Sequence, residues 1–224
     1  MGEVNITEND KKNLKWISKL VAVLSKIARI CLYVGIVCLI LTMTIIPTFI
    51  NHTNVNNNEI KFKYRNSSFV MKVKDNKTLF YSDDEKVTTE KGTEAFDLIT
   101  KYYNKYSRKQ LIGYSEAFLL VTVAYIFLLT ILLKYVEKLF NNINKVDTPF
   151  TKDNVFLFKN IIKFKIASML VLLFGMISFS FVNDAVNPFD HTSLNIIELL
   201  IIIVCYYIFK YGYKLQESSK EKLY

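Results

Sequence analysis

The chain has 224 residues, of which 51% are hydrophobic and 14% aromatic, and it carries a formal net charge of +9. That length suits one or two water-soluble domains, but the apolar residues are gathered into long uncharged runs, which points to a small polytopic membrane protein instead. The basic surplus stands mainly at the ends of those runs, as membrane topology requires, and forms no dense patch interleaved with aromatics, which argues against nucleic-acid binding.

Residues 1–29 begin polar. From Leu14 the apolar positions Leu14, Ile17, Val21, Leu24 and Ala28 follow helical spacing among Lys11, Lys12, Lys15, Lys19 and Lys26, with Trp16 where interfacial aromatics sit. This is a basic amphipathic helix, read either as a lipid-surface or partner helix or as the cytoplasmic entry into the first span. Residues 30–50 are uncharged and long enough to be transmembrane helix 1, with Pro47 placed to kink or end it.

Residues 51–112 form the one sizeable segment between spans. It opens with an Asn-rich turn region. Ile60, Phe62 and Tyr64 alternate with Lys61, Lys63 and Arg65, which predicts a half-buried strand. Asn66-Ser67-Ser68 reads as a turn, Phe69 to Lys74 as the partner strand, and Thr78 to Ser82 as a third strand. Thr93 is a candidate N-cap for an amphipathic helix through Phe96, Ile99, Tyr102 and Tyr106 that feeds transmembrane helix 2 at residues 113–134.

A polar elbow, residues 135–163, follows. Pro149 and Thr151 predict a turn and a hydroxyl cap, so the next helix begins near Lys152 and runs into transmembrane helix 3 at residues 164–182. Gly175, with Ser168 and Ser178, marks close helix packing. A short loop at 183–193 leads to transmembrane helix 4 at 194–210 and a polar tail, 211–224. The short loop has no Lys or Arg, whereas the amino-terminal segment has six, Lys134 to Lys165 has seven and the stretch from Lys210 onward has four. The positive-inside rule puts those three segments in the cytoplasm. The fold class expected is an α-helical polytopic membrane protein, with four transmembrane helices and a small extracytoplasmic α+β insertion between helices 1 and 2. Both termini are cytoplasmic and the location is the plasma membrane.

The chemistry on offer is sparse. Glu116 and Glu198 are expected at similar depth near the outer ends of helices 2 and 4. There they either bind a cation or relay a proton, or simply rest at the headgroup level. His52 and His191 lie on different loops, and a zinc site would need them to converge with Asp184 or Asp190. Cys31, Cys38 and Cys205 lie within apolar runs and read as small packing residues. No nucleophile and base can be paired, and no phosphate-cradling Gly loop is present. The expectation is therefore no catalytic set, no metal and no cofactor.

The elbow carries a further signal. Phe140, Ile143 and Asp147-Thr148-Pro149-Phe150-Thr151-Lys152-Asp153-Asn154, followed by apolar positions running into helix 3, resemble the bacterial DUF2975 family of four-span membrane proteins. The resemblance implies a bacterial plasma membrane and a regulatory association, but no reaction. Pro149, Phe150 and Asn154 thereby join Glu116 and Glu198 as candidate functional residues. The expected role is a non-enzymatic interaction, sensing or immunity-type factor with a protein or peptide partner at the external segment. The alternative is a small transporter or channel subunit using the two carboxylates.

Overall fold

The computed structural model describes residues 8–56, 59–75, 77–83, 85–91, 93–146, 148–180 and 192–221. His191, Asp184 and Asp190, and with them the expected short loop, lie outside these residues. In chain order the elements are α1 (Glu8–His52), β1 (Thr53–Asn56), β2 (Glu59–Tyr64), β3 (Ser67–Lys74), β4 (Lys77–Ser82), β5 (Glu85–Lys91), α2 (Glu94–Lys105), α3 (Arg108–Lys145), α4 (Lys152–Ser180) and α5 (Thr192–Glu221). Four of the five helices, α1, α3, α4 and α5, are long and apolar enough to cross a membrane. The chain forms two compact units, Cys38–Leu120 and the remainder.

In the Cys38–Leu120 unit, β1 to β5 form an antiparallel meander in sequence order. Arg65, Asp75 and Asp83, between consecutive strands, take positive φ. Aspartate tolerates that region better than most residues because its short side chain bonds locally. Asp83 does so: its carboxylate accepts from the Ser68 amide at 2.7 Å and its own amide donates to the Ser68 carbonyl at 2.8 Å. Strands β2 to β4 match the alternation in the sequence. β1 replaces the expected Asn-rich turn, and β5 was not expected at all. It holds one exposed apolar residue, Val87, at the bulge where pairing shifts beside Phe80 and Tyr81.

The amphipathic helix is also not continuous with the second span. α2 ends at Lys105, and Ser107 starts a new helix through a capping box: its hydroxyl and amide both donate to Gln110 Oε1 at 2.9 Å. Thr93 occupies the N-cap position of α2, but its hydroxyl donates to the Asp97 carboxylate at 2.7 Å rather than capping a backbone amide.

In the other unit the core is Leu139 and Ile143 of α3 with Leu157 and Ile161 of α4, and Ile202 and Phe209 of α5 pack against it. It lies at the elbow end of the α3–α4 hairpin. Farther along, Gly175 brings α4 against α3 so closely that a Cβ would meet Val121 Cγ1 at 2.5 Å. α1 is one helix of 45 residues, which Pro47 does not end. Ser18, Ala22 and Ser25 are buried, whereas Leu14, Ile17, Leu20 and Leu24 are exposed. Small residues let the helix approach closely, and Arg29 fixes it by an ion pair with Glu137 of α3 at 2.9 Å. An outward apolar face of this kind suits lipid, where water would penalise it. Cys31 and Cys38 are exposed along the same helix and Cys205 is half-buried, all three as free thiols.

Candidate functional site

The elbow is built from its backbone outward. Pro149 has no amide and presets its φ, which suits a turn ahead of a helix. Thr151 then caps α4: its hydroxyl accepts from the Asn154 amide at 3.2 Å and its carbonyl from the Val155 amide at 3.1 Å. Asn154 is completely buried. Its Nδ2 donates back to the Pro149 carbonyl at 2.8 Å, which closes the turn from inside, while its Oδ1 is buried without a donor. Pro149 and Asn154 thus form one local device.

Phe150 links that device to α5. Its ring sits edge-to-face on Phe209 at 5.4 Å and directly over Gly212, where a Cβ would come within 2.5 Å of ring carbon Cδ1. A glycine inside a helix costs roughly 0.5–1 kcal/mol relative to alanine, so its presence here is explained by the space the ring needs. Gln216, one turn farther on, donates from Nε2 to Thr148 Oγ1 at 2.5 Å, and that hydroxyl also accepts from the Phe150 amide at 3.3 Å. The elbow is therefore clasped to α5 by an aromatic knob in a glycine socket with a hydrogen bond beside it. Gly212, Phe209 and Gln216 escaped the sequence reading; the isolated glycine in Tyr211-Gly212-Tyr213 was the available signal.

The two carboxylates are separated in role. Glu198 is not shared with Glu116: its Oε2 meets Lys165 Nζ at 2.5 Å, and Asn195 Oδ1 accepts from the same ammonium at 3.0 Å. Lys165 is buried, and its side chain is 9% exposed against 63% for Glu198. Lys165 ends the charged stretch of α4 nearest the elbow, just before the apolar run that begins at Ile166. Pairing there sets Glu198 beside the residue at which the apolar run of α4 begins. The apolar run of α5 is accordingly displaced along α4 toward the elbow, as the Phe158–Phe209 ring contact at 4.6 Å also shows. Glu116 is half-buried and makes no ion pair among the described residues.

In the Cys38–Leu120 unit, Arg108 is the organising cation. Its guanidinium donates to the carbonyls of Asn51 and Thr53 at 3.2 and 3.1 Å and to Asn54 Oδ1 at 2.8 Å, which ties β1 to the start of α3. Arg108, Thr53 and Asn54 line a polar recess of about 590 Å³ with Tyr103 and Asn104. Burial raises the Tyr103 phenol above its ordinary pKa, opposed by the nearby Thr53 hydroxyl and Arg108 charge. The sheet has two unlike faces. Cross-strand register puts Lys61, Lys63, Lys72, Lys74, Lys77 and Lys86 on one face, all exposed, with Glu59 as the acid paired to Lys72 at 3.6 Å. The other face carries Ile60, Phe62, Met71 and Phe80 and, with Phe49 and Ile99, lines an apolar cavity of about 340 Å³. Among the described residues no group of three or more His, Cys, Asp or Glu is gathered as a metal site.

The class is thus a protein of four apolar, membrane-length helices with a sheet inserted after the first and a clasped elbow between the third and fourth elements of helical structure. The family model described as Protein of unknown function (DUF2975) matches residues 83–216. The chain belongs to the DUF2975 family. The match takes in β5, α2, α3, the elbow, α4 and most of α5, and leaves α1 and β1 to β4 outside it. No curated protein and no solved structure matches the chain.

Proposed function

We propose that this is a multi-pass protein of a bacterial plasma membrane, with both termini cytoplasmic, that acts without catalysis as an interaction or sensing factor. The sheet unit is its extracytoplasmic receiving surface, and the elbow is a structural clasp on the cytoplasmic side. The carrying observation is the lysine face of the sheet: six exposed ammonium groups against one carboxylate, displayed on rigid strands. Such a face attracts an acidic protein or peptide surface and steers its approach. The counts of basic residues at the ends of the apolar runs support the orientation.

The test is crosslinking in intact cells through a cysteine at Lys77, followed by mass spectrometry. One dominant acidic partner is expected, lost when Lys61→Glu, Lys72→Glu and Lys86→Glu are combined. An unchanged capture pattern in that triple variant, or self-crosslinks alone, rejects the reading. The alternative, a transport role, draws on ionisable groups held between α4 and α5, since a charge within apolar helices costs a few kcal/mol. It requires flux in liposomes that Glu116→Gln with Glu198→Gln removes.

A further inference from the structure

The apolar cavity of the sheet unit has a neighbour. A crevice of about 250 Å³ lies between the last turns of α1 and strand β2, lined by Thr44, Ile45, Thr48, Phe49, Phe62 and Tyr64. Phe49 and Phe62 also line the cavity, and their rings stack at 4.8 Å, so this one ring pair is the wall common to both spaces. Thr44, Ile45 and Thr48 belong to the uncharged run at residues 30–50. On the membrane reading of α1, the crevice therefore opens at bilayer depth, and the cavity lies behind it within the sheet.

From this geometry we infer that the crevice and cavity take one acyl chain of an anionic phospholipid from the surrounding bilayer. Three observations select that occupant. The path begins on a lipid-length helix, so lipid is the apolar molecule present at its mouth. The cavity is lined almost wholly by apolar side chains, which gives water too few polar partners to fill it stably. The mouth is cationic and aromatic. Arg65 stands over the Tyr64 ring at 5.5 Å, and Tyr64 packs edge-on against His52 at 5.5 Å. Tyrosine suits the headgroup level, and an arginine fork matches phosphate oxygens.

The physical division of labour follows. Lipid tails are as apolar as the cavity, so moving a chain out of the bilayer gains little from the hydrophobic effect. Filling a dry void restores dispersion contacts that its lining otherwise lacks. Preference among lipids must come from Arg65 at the headgroup. The site thus accepts chains broadly and discriminates by charge.

The full-length protein is reconstituted in phosphatidylcholine vesicles containing either phosphatidylglycerol or phosphatidylcholine that bears a photoreactive group at the chain end. The expected result is labelling of peptides carrying Phe62, Phe80 and Ile99 by the phosphatidylglycerol probe, with much less from the phosphatidylcholine probe. Arg65→Glu, a substitution at an exposed turn, should remove that difference while the far-ultraviolet circular dichroism stays the same. Met71→Trp, which fills the cavity, should remove the labelling of Phe80 and Ile99 yet leave that of α1. Label confined to the faces of the long helices, or equal labelling by both probes in the unmodified protein, overturns the inference.

Discussion

Gly212→Ala is the sharpest perturbation of the elbow. In an ordinary helix the change stabilises by about 1 kcal/mol, because alanine restricts the unfolded chain and favours helix. Here the new Cβ would stand 2.5, 2.6 and 2.9 Å from Cδ1, Cγ and Cε1 of Phe150. Cγ is the root of the ring, so the clash is not relieved by swinging a flexible tip aside. The ring is further confined by Phe209 and by the Thr148–Gln216 bond at the same turn. Overpacking of this kind costs roughly 1–3 kcal/mol, which exceeds the helix gain over most of its range. The expected net loss is about 1 kcal/mol, the middle of that difference, or some 2–4 °C in melting midpoint for a chain of this size, read by thermal unfolding in detergent. The control reverses the sign. In a Phe150→Ala background the socket is empty, and Gly212→Ala should then stabilise. A neutral or stabilising Gly212→Ala in the unmodified protein would refute the clasp.

Three further outcomes follow from the geometry. Glu198→Gln should lower thermal stability more than Lys165→Met, because it strands a buried ammonium, whereas the mostly exposed Glu198 rehydrates when its partner is lost; the double variant should recover most of the difference. Arg108→Ala, and also Arg108→Lys, should increase protease cleavage in β1, since three acceptors lose one planar donor that lysine does not replace. Tyr103 gives a pH effect: its folded pKa lies above the unfolded value of 10.0, so the folded unit retains a proton that the unfolded chain releases. The associated stability is complete below about pH 10 and is lost as pH rises through the folded value. Tyr103→Phe should flatten that alkaline fall in melting temperature.

The apolar runs, the strands β2 to β4 and the helix start at Lys152 were legible because each is a local pattern: uninterrupted hydrophobicity, strict alternation, and a proline followed by a hydroxyl cap. β1 and β5 were not, since Thr53–Asn56 and Glu85–Lys91 hold one valine each and exist through pairing with neighbours. The break at Ser107 was written in the Ser107–Gln110 capping box but hidden by the helical spacing that runs across it. The spacing in α1 marked its apolar face but not its packing side, Ser18, Ala22 and Ser25, because small residues carry little hydrophobic signal. The ends of apolar runs do not specify how far one helix slides along another. Contacts such as Lys165–Glu198 and Phe150–Gly212 set that, and they join residues far apart in sequence.

The central claim is that the lysine face lies outside the membrane and the elbow inside it. Single cysteines at Lys77 and at Lys152, in a chain whose own Cys31, Cys38 and Cys205 are replaced by serine or alanine, can be exposed to a membrane-impermeant maleimide in intact cells. The account requires labelling at position 77 at once and at position 152 only after the membrane is opened. Immediate labelling at 152 with protection at 77 would contradict it.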